Sequence, residues 1–249
     1  MTAERFSRLR LLYGDAGLAR LNAASVAVIG IGGVGSYAAE ALARSGVGRL
    51  TLMDFDVVAP SNLNRQIHAL ETTLGRPKVE VMAERCRAIN PAAAVEPLQE
   101  AFHAENAETL LSRGFDAVLD CIDTITDKLL LIETCWKRGI PLFSSMGAAN
   151  KTDPTAVAVA DLFATRNCRM ARIMRKELRK RGVGPGVTVV YSSEGFHPDN
   201  GDGEAAPPPA GHEGPRRRPP LASSSYIPPI FGLTLAGTVI RFLTKETKS

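Results

Sequence analysis

Cysteine is sparse in this 249-residue chain, and what there is lies scattered. Cys86, Cys121, Cys135 and Cys168 form no C-x-x-C pair, which argues against a zinc ribbon and against a disulfide framework. They read as reduced thiols of a cytoplasmic protein. A long apolar run is also missing. The longest, residues 226–240, falls short of the roughly 20 residues of a membrane span and is broken by glycines and prolines. It is expected to form a buried C-terminal helix, with no membrane partner. Residues 1–12 mix polar and apolar side chains and include Glu4, so no signal peptide is expected there. Aromatic residues make up only 6% of the chain, which leaves little for stacking on nucleobases.

Charge of one sign is lacking overall, since the formal net charge is only +4. It is nevertheless placed unevenly. Residues 166–181 contain eight basic side chains and one acid, Glu177, so the rest of the chain is slightly acidic. A local anionic partner fits this pattern better than a generally adhesive surface.

Residues 6–21 suggest an amphipathic helix through Phe6, Leu9, Leu12 and Leu18. Residues 25–30 form a β-branched run, followed by a glycine turn, an alanine-rich helix over 34–45 and a second strand over 49–53. Further helices are expected at 77–90, 106–112, 125–138 and 164–181. Further strands are expected at 94–98, 117–121, 140–144, 156–160 and 187–191. This alternation predicts an α/β fold: a Rossmann-like, doubly wound, mostly parallel sheet with helices on both faces. Residues 195–220, rich in proline, glycine and alanine, are expected to form a mobile loop within a single domain spanning 1–249. Residues 221–243 return to core-like sequence.

The turn reads Gly30-Ile31-Gly32-Gly33-Val34-Gly35. Glycines there allow a sharp turn and close approach to a phosphate, and the next helix points free N–H groups at it. The turn alone suits NAD and ATP equally. Asp54, at the end of the second strand, is placed to accept hydrogen bonds from ribose hydroxyls. Asp56 either shares that role or caps a turn. Downstream, Ser61, Asn62, Asn64, Arg65 and Gln66 form a polar cluster that a dehydrogenase does not need. Arg65 offers a planar fork for phosphate oxygens. Lys78, at a helix start, adds positive charge that makes sense against a triphosphate. Asp123, with Thr124 beyond a buried strand, is tolerable beside phosphates if it holds Mg²⁺. Asp120 is expected to bond backbone or Arg65, and Cys121 to be a small core residue. Arg169, Arg172, Arg175, Lys176, Arg179 and Lys180 recur on a helix and suit RNA phosphates, with Arg216, Arg217 and Arg218 in the loop as additions.

These motifs, in this order and spacing, resemble the E1-like (ThiF-type) adenylating superfamily over residues 5–160 closely and the remainder loosely. The resemblance implies the E1-like ATP-binding fold, ATP and Mg²⁺ at the positions just named, and a homodimer. The opening Arg5-Phe6-Ser7-Arg8 is similar to the family's opening, whose second arginine reaches into the partner's ATP site; Arg8 is its counterpart. Residues 65–70, Ala83-Glu84-Arg85 before Ile89-Asn90-Pro91, and Asp153-Pro154-Thr155 look most like the tRNA threonylcarbamoyladenosine dehydratases. Activators of ubiquitin-like sulfur carriers usually keep two C-x-x-C pairs, absent here. The resemblance implies adenylation and cyclising dehydration of a modified adenosine in the tRNA anticodon loop. The alternative is activation of a carrier protein's C-terminus, with a sulfur-transfer or carrier partner. Relatives carry a cysteine just before the turn that here reads Ser192-Ser193-Glu194. This chain has Thr188, Val189 and Val190 there, so a thioester step at that position is not expected.

Overall fold

The structure, a computed structural model, describes residues 2–195 and 221–245. The segment expected as a mobile loop, Gly195 apart, and with it Arg216, Arg217 and Arg218, lies outside the described residues. The strands are β1 (Ser25–Ile29), β2 (Arg49–Met53), β3 (Ala94–Leu98), β4 (Ala117–Asp120), β5 (Leu142–Ser145), β6 (Val157–Asp161) and β7 (Thr188–Ser192). They form one sheet in the order β3-β2-β1-β4-β5-β7-β6. Every neighbouring pair is parallel except β6 with β7. Strand order reverses between β1 and β4, and in such sheets ligands bind beyond the C-terminal strand ends at that point.

The helices are α1 (Thr2–Arg5), α2 (Ser7–Ala23), α3 (Gly35–Arg44), α4 (Lys78–Ile89), α5 (Ala104–Leu111), α6 (Ile125–Arg138), α7 (Arg169–Lys180) and α8 (Ile227–Thr244). Because side chains alternate along a strand, Val26 and Val28 of β1 enter one core with α3, α4 and α8. Ala27 and Ile29 enter the other, with α5, α6 and α7. The expected doubly wound architecture is thus present.

By length and composition alone α8 could cross a membrane. In this fold Ile227, Phe231, Leu235 and Val239 are buried at intervals of four, the stripe of a core helix. Gly232 permits its close contact with α3, since a Cβ there would lie 2.2 Å from the Val34 carbonyl oxygen.

Two expected helices differ from the observed ones. The N-terminal helix is not one amphipathic rod: Gly14 (φ 69°, ψ 175°) breaks α2. The break shifts the helical phase, so Leu12 is 70% exposed while Leu21 is buried. The basic helix begins at Arg169 rather than 164, because Leu162–Ala164 forms a 3-10 turn capped by Asp161. The Cys168 sulfur then accepts the Ala171 N–H at the true helix start.

Candidate active site

A cleft of about 470 Å³ opens at the β1/β4 reversal. Gly30, Gly32 and Gly33 form its floor. Gly30 is left-handed (φ 93°), and a Cβ on it would approach the Cys121 carbonyl oxygen to 2.8 Å, so the turn requires glycine. Gly35, expected to bind nucleotide, does not line the cleft. A Cβ there would sit 1.8 Å from the Gly30 carbonyl oxygen, so its part is to let α3 pack against the turn.

Asp54 directly follows β2 and lines the cleft half-buried. One carboxylate oxygen accepts the Ile31 N–H at 2.6 Å and the other the Asp56 N–H at 2.9 Å. It therefore ties the glycine turn to β2 whether or not ribose is bound. Burial pushes its carboxyl up, against the opposing pull of those N–H groups and Lys78.

Lys78 is buried, only 5% exposed, which excludes a solvated surface lysine. Its Nζ donates to Asp56 Oδ2 at 2.6 Å and its backbone N–H to the Asp56 carbonyl at 3.0 Å. Asp56, left open by the sequence, is thus the counter-ion of Lys78. Asn62, Arg65 and Gln66 line the cleft, but Ser61 and Asn64 do not. Instead the Arg65 guanidinium donates to the Ser61 carbonyl (2.8 Å) and to Asn64 Oδ1 (2.9 Å), so these two residues aim Arg65. Asn62 is spent on the loop as well, its Oδ1 accepting the Ala59 N–H.

Asp123 and Thr124 follow β4 at the opposite lip, with Asp127 in the first turn of α6. Among the described residues no cluster of three His, Cys, Asp or Glu could hold a metal. Two carboxylates lining the cleft do fit Mg²⁺, which takes few protein oxygens and completes its shell with phosphates and water.

Asp120 does not reach Arg65. It is fully buried and accepts from Lys128 Nζ (2.7 Å), Ser144 Oγ (2.6 Å) and the Ile122 N–H (3.1 Å). Sequence reasoning missed Lys128. Its only signal was one lysine on the apolar stripe of α6 formed by Leu129, Leu131, Ile132 and Cys135. Burial pushes the Cys121 thiol up, with nearby Asp120 adding to it, so Cys121 stays a neutral thiol. Phe102 and Met53, which also line the cleft, were likewise not singled out.

His68 was noticed only as part of a motif. It is buried, and neither ring nitrogen has a partner among the described residues. Burial first, then Lys78 and Arg85, press its pKa down to about 4 from 6.5. Below pH 6.5 the unfolded chain takes up a proton that the native imidazole refuses until about pH 4. Stability is therefore expected to fall by about 3 kcal/mol across that window and then level off. Chemical denaturation at stepped pH should show a shallower fall for His68→Leu; parallel curves would discard the assignment.

On α7, Met170 reaches the cleft. Arg169, Arg172 and Lys176 are exposed and make no ion pair among the described residues. Arg175 is committed elsewhere: it bonds the Thr165 carbonyl at 3.0 Å and the Thr165 hydroxyl. Lys180 pairs with Glu177, and Arg179 lies over the Phe163 ring. Arg8 is exposed on α2 and does not line the cleft of its own chain.

This arrangement agrees with comparison to known proteins. Residues 6–249 match the model of the ThiF family. The chain belongs to the ThiF family. It is similar to the tRNA threonylcarbamoyladenosine dehydratase of Bacillus subtilis, at 44% identity, covering 97% of this chain and 95% of that one. The Escherichia coli dehydratase is 41% identical over 221 residues, 86% of this chain and 82% of that one. A crystal structure of the E. coli tRNA N6-threonylcarbamoyladenosine dehydratase in complex with ATP matches with a TM-score of 0.86 at 35% identity, covering 97% of this chain and 94% of that one.

Proposed function

We propose that this ThiF-family chain is an ATP-dependent tRNA N6-threonylcarbamoyladenosine dehydratase. The observation that carries the reading is the cleft at the β1/β4 reversal, in a chain similar to dehydratases over nearly its whole length. ATP lies along the glycine turn. The N–H groups of Gly32 and Gly33, which have no acceptor among the described residues, face its phosphates. Asp54 takes the ribose, and Arg65 and Lys78 offset phosphate charge.

The threonyl carboxylate of the substrate attacks the α-phosphorus and pyrophosphate leaves. The carbamoyl nitrogen of the same substrate then attacks the acyl carbon and loses its proton. AMP departs with the carboxylate oxygen, so the product is lighter by one water. Holding both ends on one molecule makes the closure intramolecular, and no protein nucleophile is required. Asp123, with Asp127 beside it, would hold Mg²⁺, which supplies electrostatic stabilisation of phosphate charge.

The protein acts in this reading as a cytoplasmic homodimer in which each Arg8 serves the partner's cleft. Its exposed position outside its own cleft supports that, and a chain that sediments as a monomer during turnover would remove Arg8 from the site. The whole chain forms one adenylating domain.

The deciding experiment is mass spectrometry of tRNA nucleosides after incubation with protein and ATP. Loss of one water from threonylcarbamoyladenosine, with AMP release, is expected. ATP–pyrophosphate exchange that instead requires the C-terminus of a carrier protein would transfer the chain to the carrier activators.

Arg169, Arg172 and Lys176 form the tRNA phosphate contacts in this reading. Replacing all three by alanine should weaken tRNA binding uniformly. The slope of log affinity against log salt should shrink by about two to three, roughly one per lost phosphate contact. An unchanged slope in filter binding would place the tRNA elsewhere.

A further inference from the structure

The cleft has two walls, and the nucleotide accounts for one. The other is formed by residues 145–149 at and beyond the end of β5, by Met170 of α7 and by Ser223. It carries no charged side chain. Gly147, Ala148 and Ala149 leave a shelf beneath Met170, and a Cβ on Gly147 would come within 3.6 Å of the Met170 Cβ.

The shelf is held from several sides. The Asn150 N–H donates to the Ala222 carbonyl at 2.9 Å, and the Tyr226 hydroxyl donates to the Thr152 carbonyl at 2.9 Å. The Glu194 carboxylate accepts the N–H groups of Thr152 and Asp153, each at 3.1 Å. Asn64 Nδ2 donates to the Ser223 carbonyl at 3.0 Å while Asn64 Oδ1 accepts from Arg65. One side chain thus sets the spacing between this wall and the phosphate-facing guanidinium. Such bracing is what a preorganised binding surface needs.

Helix α7 connects the shelf to the cationic face. Met170 turns into the cleft, while Arg169, Arg172 and Lys176 turn outward over about 10 Å of helix. Phosphate contacts fix register, and the contacts beyond them select the base.

We propose that the shelf of residues 147–149 with Met170 is the acceptor subsite. It seats the uncharged part of the modified nucleoside while its carboxylate points across the cleft toward the α-phosphate. The inference rests on the dehydratase reading and adds the residues that select the acceptor. Met170 is a specificity-determining residue in it, because filling its side of the shelf excludes the nucleoside and leaves the nucleotide wall untouched.

The test uses the full chain, threonylcarbamoyladenosine-containing tRNA and ATP. Met170→Trp should keep wild-type ATP affinity by calorimetry and wild-type melting temperature, yet lose about tenfold or more in kcat/KM for tRNA. Met170→Leu should restore it. If Met170→Trp fails to fold, Gly147→Ala supplies the narrowing, since its added methyl makes only ordinary contact with Met170. Wild-type kcat/KM in the narrowed variant, or a matching loss of ATP affinity, overturns the subsite. A wild-type chain that binds no ATP overturns the dehydratase reading, and the subsite with it.

Discussion

Lys128→Met is expected to destabilise the protein by about 3–5 kcal/mol, the cost of leaving a buried charge without its partner. Lys128 and Asp120 both have side chains with 0% exposure, and they meet at 2.7 Å. The Asp120 carboxylate also takes the Ser144 hydroxyl and the Ile122 N–H, but two neutral donors do not offset a full negative charge in the core. For a chain of this length the loss corresponds to a fall in melting temperature of about 10 °C. Lys128→Met combined with Asp120→Leu should recover most of it, because replacing both charges by apolar groups removes the unpaired one. Calorimetric unfolding of the two variants decides the matter: a Lys128→Met protein within about 1 kcal/mol of wild type would mean that the pair carries no such weight. The loop consequence is separate. The Ile122 N–H holds the backbone one residue before Asp123, so the single variant should also lose activity at temperatures where it remains folded.

The second large effect concerns chemistry. Arg65→Ala and Asp123→Ala are each expected to reduce kcat/KM for tRNA dehydration by at least about a hundredfold, the loss typical when a preorganised partner of transition-state charge is removed. Among the described residues Arg65 is bonded only to its own loop, through Ser61 and Asn64, and Asp123 is exposed at the cleft lip. Neither change should move the melting temperature appreciably, which distinguishes these variants from Lys128→Met. Raised Mg²⁺ should partly restore Asp123→Ala and leave Arg65→Ala unaffected. Full turnover in either variant, measured as AMP release with modified tRNA, would remove that residue from the site.

Much of this protein was legible in one dimension. The βαβ opening, the glycine turn, Asp54, Arg65, Lys78 and Asp123 all depend on local rules: strand ends, helix starts and residue types suited to phosphate. Their convergence on one cleft follows from the parallel topology that the alternating strands and helices imply. Glycine roles were legible in kind but not in detail. That Gly35 packs against Gly30 rather than lining the cleft depends on a 1.8 Å clearance that no motif encodes.

Long-range pairing was what the sequence withheld. Lys78 finds Asp56 across 22 positions and Ser144 finds Asp120 across 24, while Asn64 reaches Ser223 across 159. Such pairs leave no periodic trace, because each partner alone looks like an ordinary polar residue. The same holds for α7. Its sequence shows a row of cations, and only packing separates Arg175, held by Thr165, from Arg169, Arg172 and Lys176, which remain exposed. By itself the sequence determined the fold class and pointed to Asp54, Arg65, Lys78 and Asp123, which line the cleft, since both are written in local pattern and spacing. The tertiary structure decided which polar groups are spent on holding one another and which are left for ligands, since that depends on which distant segments share a buried surface.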